Sequence, residues 1–141
     1  MLERTLALIK PDGVSRNLIG EVLKRCEGIG LKVVALKMLC LTIEAAKGFY
    51  VVHKDRPFYH DLATSMSAGP IVALVLQGDN AIARYRELMG ATDPKKAAKG
   101  TLRAELAVSL EQNTVHGSDS PQSAAFEIPY FFSALDLSTR G

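Results

Sequence analysis

The sequence predicts a mixed fold of helices laid over one sheet, an α+β or α/β sandwich. Apolar-periodic segments follow one another as strand, helix, strand, helices, strand, helix, strand, helix. The chain has 141 residues, 48% apolar and 23% charged, a composition expected of one globular domain spanning 1–141. "IVALVLQG" (71–78) opens on a continuous apolar run, the mark of a strand buried inside the fold.

"RTLALIK" (4–10) reads as the first strand, stopped by Pro11 and the turn formers Asp12 and Gly13, which leaves Lys10 at a strand end. With Asn17 as N-cap, Ile19, Val22, Leu23 and Cys26 recur at helical spacing, and Gly28 and Gly30 close the helix. "LKVVALKMLCL" (31–41) is β-branched and apolar enough for a second strand. Thr42 caps a helix over 43–53, and Pro57 opens another over 57–67 from the tolerated first-turn position. After the third strand, Asp79 or Asn80 caps a helix whose Ile82, Tyr85 and Met89 face inward, and Gly90 stops it. "ATDPKKAAKG" (91–100) reads as an exposed loop with Lys95, Lys96 and Lys99 solvated. A short strand over Thr114–His116 precedes a helix opened by Ser120 and Pro121, with Ala124, Ala125, Ile128 and Phe132 along one face.

A formal net charge of +2 supplies no global field for nucleic acid, so any anionic ligand must be held by local positive groups. Cys26 and Cys40 fit neither C-x-x-C nor zinc spacing and, in apolar-periodic segments, read as buried free thiols of a reducing compartment. With neither a signal-peptide pattern nor a membrane-length apolar run, the expected location is the cytoplasm.

The chemistry concentrates in "NTVHGSDS" (113–120). Metal ligation at His116 needs three or four convergent ligands, and the candidates are only Asp119 and the distant His53 and His60. A Ser-His-Asp triad is not built by Ser118 and Asp119, which follow His116 too closely, and G-x-S-x-G is absent. A packed core histidine remains open. So does a neutral imidazole, with an ordinary pKa of about 6.5, whose lone pair attacks phosphorus. Glu127 is then the acceptor that fixes the tautomer, Gly117 leaves room for a ligand, and the next helix N-terminus attracts phosphate.

"NTVHGSDS" resembles the active-site motif of nucleoside diphosphate kinases. "ERTLALIKPDGV" (3–14), "GFYVVHKDRPFY" (48–59), "SAGPIVALVLQG" (67–78), "LMGATDP" (88–94) and "GTLRAEL" (100–106) resemble that family in the same order and spacing. The resemblance implies an α+β fold: a ferredoxin-like, four-stranded antiparallel sheet covered by helices, with an inserted exposed loop near 91–113. It implies Mg²⁺-dependent ping-pong transfer of a γ-phosphate from nucleoside triphosphate to diphosphate, carried on a histidine matching His116. The metal travels on the nucleotide phosphates rather than in a protein cage.

Carried over residue by residue, Lys10 and Asn113 match the ribose-contacting positions, and Lys10 also reaches phosphate. Arg86, Thr92 and Arg103 match the phosphate-holding positions. Phe58 matches the aromatic that stacks the base, with Leu62 and Leu110 beside it. A stacking platform accepts any π-face and implies broad base and sugar specificity. Tyr50, Ser118 and Glu127 match residues supporting the histidine. Taken singly, each has a plainer reading as a core, turn or surface residue. Ser67-Ala68 and Asp93 depart from the family pattern without touching a matched catalytic position. The short segment after Phe132 implies a bacterial-type homo-oligomer, a tetramer rather than a hexamer. Competing readings are a nucleic-acid-binding or scaffold module on the same fold, which lacks support from aromatic RNA-binding strands.

Overall fold

The computed structural model describes residues 2–140, so Met1 and Gly141 of the expected 1–141 domain lie outside it. Its elements, in chain order, are β1 (Leu2–Ile9), α1 (Pro11–Ser15), α2 (Ile19–Gly28), β2 (Lys32–Leu39), α3 (Ile43–Phe49), α4 (Tyr59–Met66), β3 (Ile71–Asp79), α5 (Ala81–Met89), α6 (Leu102–Leu106), β4 (Val115–Gly117) and α7 (Pro121–Phe131). Short 3₁₀ turns occupy Val51–His53, Pro94–Lys96 and Ala134–Asp136.

The strands make one antiparallel sheet in the order β2-β3-β1-β4, the ferredoxin-like arrangement. Alternation along each strand sends side chains to opposite faces. Leu6 and Leu8 of β1 pack with Ala46, Phe49, Ala63, Met66 and Phe131 on the face covered by α3, α4 and α7. Ala7 and Ile9 pack with Val22, Cys26, Tyr85 and Met89 under α2 and α5. Because both faces are covered, the central strands are apolar at successive positions, as "IVALVLQG" suggested. A fully buried leucine or isoleucine there contributes roughly 1.5–3 kcal/mol.

Local departures from the expected elements have local causes. Asn17 is not an N-cap: it takes a left-handed conformation (φ 60) between α1 and α2, and Leu18 occupies the cap position. The helix expected over 43–53, capped as foreseen by Thr42 accepting the Ala45 N–H at 3.0 Å, stops at Phe49 and passes into a 3₁₀ turn at the β-branched pair Val51-Val52. Helix α4 begins at Tyr59 rather than Pro57, and of the two cysteines expected to be buried only Cys26 is, because β2 ends at Leu39 and leaves Cys40 exposed just beyond it. Inside the 91–113 loop, Thr101 accepts the Ala104 N–H at 3.3 Å and starts α6, too short to announce itself by periodicity. Strand β4 begins one residue late because Thr114 is left-handed (φ 73). A Ser120–Ser123 capping box opens α7, whose buried positions are Ala124 and Phe131, while Ala125 is exposed.

Gly117 does not clear space for a ligand; it lets α5 approach the sheet. A Cβ there would lie 2.7 Å from Tyr85 Cδ2 and 2.8 Å from Met89 Cε. Gly117→Ala is therefore expected to destabilise the fold by roughly 1–3 kcal/mol through overpacking. Urea denaturation reads the change, and an unaltered midpoint contradicts the packing described.

Candidate active site

His116 is the middle residue of β4 and pairs with Leu8 of β1. Its ring meets Phe49 and Tyr50 edge-on, with centroids 5.3 and 6.1 Å away. Glu127, on α7, brings Oε1 to 3.0 Å from His116 Nε2. Ser118 Oγ donates to the same carboxylate oxygen at 3.0 Å and accepts the Leu6 N–H at 3.2 Å, so the carboxylate is tied to the central strand. The histidine side chain is 21% exposed and that of Glu127 13%. A carboxylate accepts only, so this hydrogen-bond network assigns the neutral ring's proton to Nε2 and its lone pair to Nδ1. No hydrogen bond reaches Nδ1 among the described residues.

Tyr50 is buried, and its hydroxyl has no partner among the described residues. Burial first, and then the Glu127 carboxylate, push its pKa up, keeping the phenol protonated. A buried donor without an acceptor is costly unless a ligand completes it.

A cationic cluster flanks this centre. Lys10 Nζ donates to Asn113 Oδ1 at 2.8 Å. Burial and the charge of Arg103, opposed by Asp12, push the Lys10 amine down to about 8. Arg103, on α6 and only 8% exposed, donates to the carbonyls of Gly90 at 3.1 Å and Val115 at 2.8 Å. Its Nε lacks a partner among the described residues, and burial lowers its pKa. Arg86, exposed on α5, adds positive charge felt by Arg103 and by Asp119.

Of the residues singled out in the sequence, His116, Glu127, Ser118 and Tyr50 meet in one cluster, and Lys10, Asn113 and Arg103 in an adjoining one. Phe58 is 47% exposed at the start of α4, and Leu62 lies one turn on. The Phe58 ring is 5.4 Å from that of His53, itself 6.3 Å from Tyr50, so an aromatic run leads from Phe58 toward His116. Thr92 and Leu110 are exposed in the 91–113 segment. The sequence reading missed Phe49 as a wall of the histidine, His53 as the link to Phe58, and Asp12, read only as a turn former. Two apolar hollows of about 410 and 360 Å³ lie elsewhere, one beside Lys37 and Tyr130 and the other beside Arg4 and Pro129; neither gathers this donor set.

Residues 3–137 match the family model described as nucleoside diphosphate kinase. The nucleoside diphosphate kinase of Geotalea daltonii is 62% identical over 136 residues, covering 96% of this chain and 99% of that protein. That of Nitratidesulfovibrio vulgaris is 61% identical over 137 residues, covering 97% and 99%. Among solved structures, the Aquifex aeolicus nucleoside diphosphate kinase superposes with a TM-score of 0.95 at 43% identity, over 97% of this chain and 99% of that one. A halophilic nucleoside diphosphate kinase from Halobacterium salinarum, in complex with CDP, gives 0.96 at 39% identity, over 100% and 94%.

The depressed Lys10 value fixes two signs. The burial penalty on its ammonium is present below pH 8 and is relieved as pH rises from about 8 to 10.5, so this group's contribution to stability rises across that window. Arg103→Ala, which removes a like charge, moves the titration upward. Side-chain NMR of labelled lysine reads both effects, and a Lys10 amine titrating at 10.5 contradicts the desolvated site.

Proposed function

The chain belongs to the nucleoside diphosphate kinase family and is a phosphotransferase of that kind, and from this premise we propose that it works by a ping-pong mechanism through phosphohistidine at His116. The Nδ1 lone pair forms a bond to the γ-phosphorus as the bond from phosphorus to the β-phosphate oxygen breaks, releasing nucleoside diphosphate. A β-phosphate oxygen of a second diphosphate then attacks the phosphohistidine, the N–P bond breaks, and the imidazole is restored. Positive charge grows on the ring during the first step, and the Glu127 carboxylate on Nε2 stabilises it. That hydrogen bond is the observation carrying the reading.

The remaining roles follow from donor chemistry. Lys10, Arg86, Arg103 and Thr92 hold phosphate oxygens, guanidinium and ammonium groups offsetting the charge of the transferring group. Tyr50 offers its hydroxyl, unpartnered among the described residues, beside the histidine. Lys10 and Asn113 hold the ribose, and Phe58, with Leu62 and Leu110, stacks the base, giving broad base and sugar specificity. This set of cationic and neutral donors suits phosphate oxygens, so Mg²⁺ belongs to the substrate, bound through phosphates and water. When bound, it neutralises phosphate charge. Among the described residues no helix is long and apolar enough to cross a membrane. A cytoplasmic single domain assembled as a homo-oligomer, a tetramer rather than a hexamer, completes the proposal.

Incubation with γ-labelled ATP and Mg²⁺ tests it. The wild type takes up label that survives alkali, is lost in acid and is discharged by GDP, and His116→Ala takes up none. Glu127→Ala slows labelling by roughly 100-fold, the usual scale for losing one transition-state partner. A wild-type chain that stays unlabelled overturns the mechanism.

A further inference from the structure

Thr114 is a β-branched residue in the left-handed region, at φ 73, a strained conformation that persists only where its surroundings enforce it. The Val115 N–H donates to the Asn113 carbonyl at 2.8 Å, closing a γ-turn of the rare positive-φ kind around Thr114. Two contacts hold it. Thr114 Oγ1 donates to Asp12 Oδ2 at 2.9 Å, and the Thr114 carbonyl accepts the Lys10 N–H at 2.8 Å. Helix α1, which carries Asp12, lies tight against the turn: a Cβ on Gly13 would come within 2.9 Å of Thr114 Cγ2.

We propose that Asp12 is a positioning residue for the proposed kinase reaction: by gripping the Thr114 hydroxyl it holds the strained turn, and the turn aims Asn113 at the nucleotide ribose. The inference rests on the kinase reading and on Asn113 as the sugar contact. The turn places the Asn113 side chain on Lys10 Nζ with its own backbone pinned, so neither end of the amide is left to search. Without the grip, the turn relaxes toward negative φ, and Asn113, buried to 4% exposure, loses its aim.

The test uses Thr114→Val, which keeps the shape and the strain but removes the hydroxyl, Asp12→Ala, which removes its acceptor, and Thr114→Gly, which accepts the positive φ without strain and so needs no grip. Thr114→Val and Asp12→Ala are expected to lower kcat/KM for GDP by about tenfold, the scale of one lost buried hydrogen bond, and Thr114→Gly by less than either. The loss shrinks to less than about twofold with 2′,3′-dideoxy-GDP, which has no ribose hydroxyl to aim at. Thr114→Ser, which keeps the donor, restores wild-type kinetics, and Asp12→Ala adds nothing to Thr114→Val. A folded Thr114→Val or Asp12→Ala enzyme with wild-type kinetics, or an equal loss with the dideoxy acceptor, overturns the positioning role. A wild type that transfers no phosphate to either acceptor overturns the kinase reading itself, and this role with it.

Discussion

The hydrogen bond between His116 Nε2 and Glu127 orients everything else at the candidate site. It decides which ring nitrogen keeps a lone pair, and it places a negative charge where, on the proposed mechanism, positive charge develops. Neither partner positions itself. His116 is held by its pairing with Leu8, and Glu127 by Ser118, whose hydroxyl bridges the carboxylate to the backbone of Leu6. The capping box at Ser120 starts α7 directly after β4, so the helix turns back over the strand it follows and returns Glu127 to the ring.

Around that bond the protein accumulates groups that are unfavourable in its own free state. Among the described residues Arg103 buries a guanidinium with Nε unanswered and Tyr50 buries a hydroxyl without an acceptor, and Lys10 holds an ammonium against desolvation and a like charge. An ion pair with nearby carboxylates would relieve these costs, but it would also occupy the donors. On the proposed reading they are kept open for the oxygens of a phosphate chain, whose binding satisfies them together. The Asp12 grip on Thr114 is a further expense of the same kind, backbone strain held in place so that Asn113 stays aimed.

Much of this was legible in the residues. Alternating and continuous apolar patterns in "RTLALIK" and "IVALVLQG" gave the central strands, because burial on both faces leaves a period and a composition that survive in one sequence. Ser120-Pro121 gave the start of α7, because capping is local chemistry. Glu127 is legible as the acceptor for His116 because it lies on the following helix, from which it can turn back to the ring, and its Oε1 lies 3.0 Å from Nε2. What stayed hidden depends on tertiary context. Nothing in the letters of Gly117 distinguishes room for a ligand from room for Tyr85 and Met89. Thr114 carries no local mark of a positive φ, since threonine ordinarily avoids it, and the contacts that hold it come from the distant Lys10 and Asp12. Helix α6 was hidden because five residues are too few for a period.

The central claim is that Glu127 reserves Nδ1 of His116 for chemistry. Phosphorus-nitrogen correlation NMR on the phosphorylated, ¹⁵N-histidine-labelled protein reads directly which ring nitrogen bears the phosphate. Phosphorus is expected to couple to Nδ1, with Nε2 still protonated toward the carboxylate. Phosphate on Nε2 would contradict it, because the nitrogen assigned to orientation would then be the nucleophile.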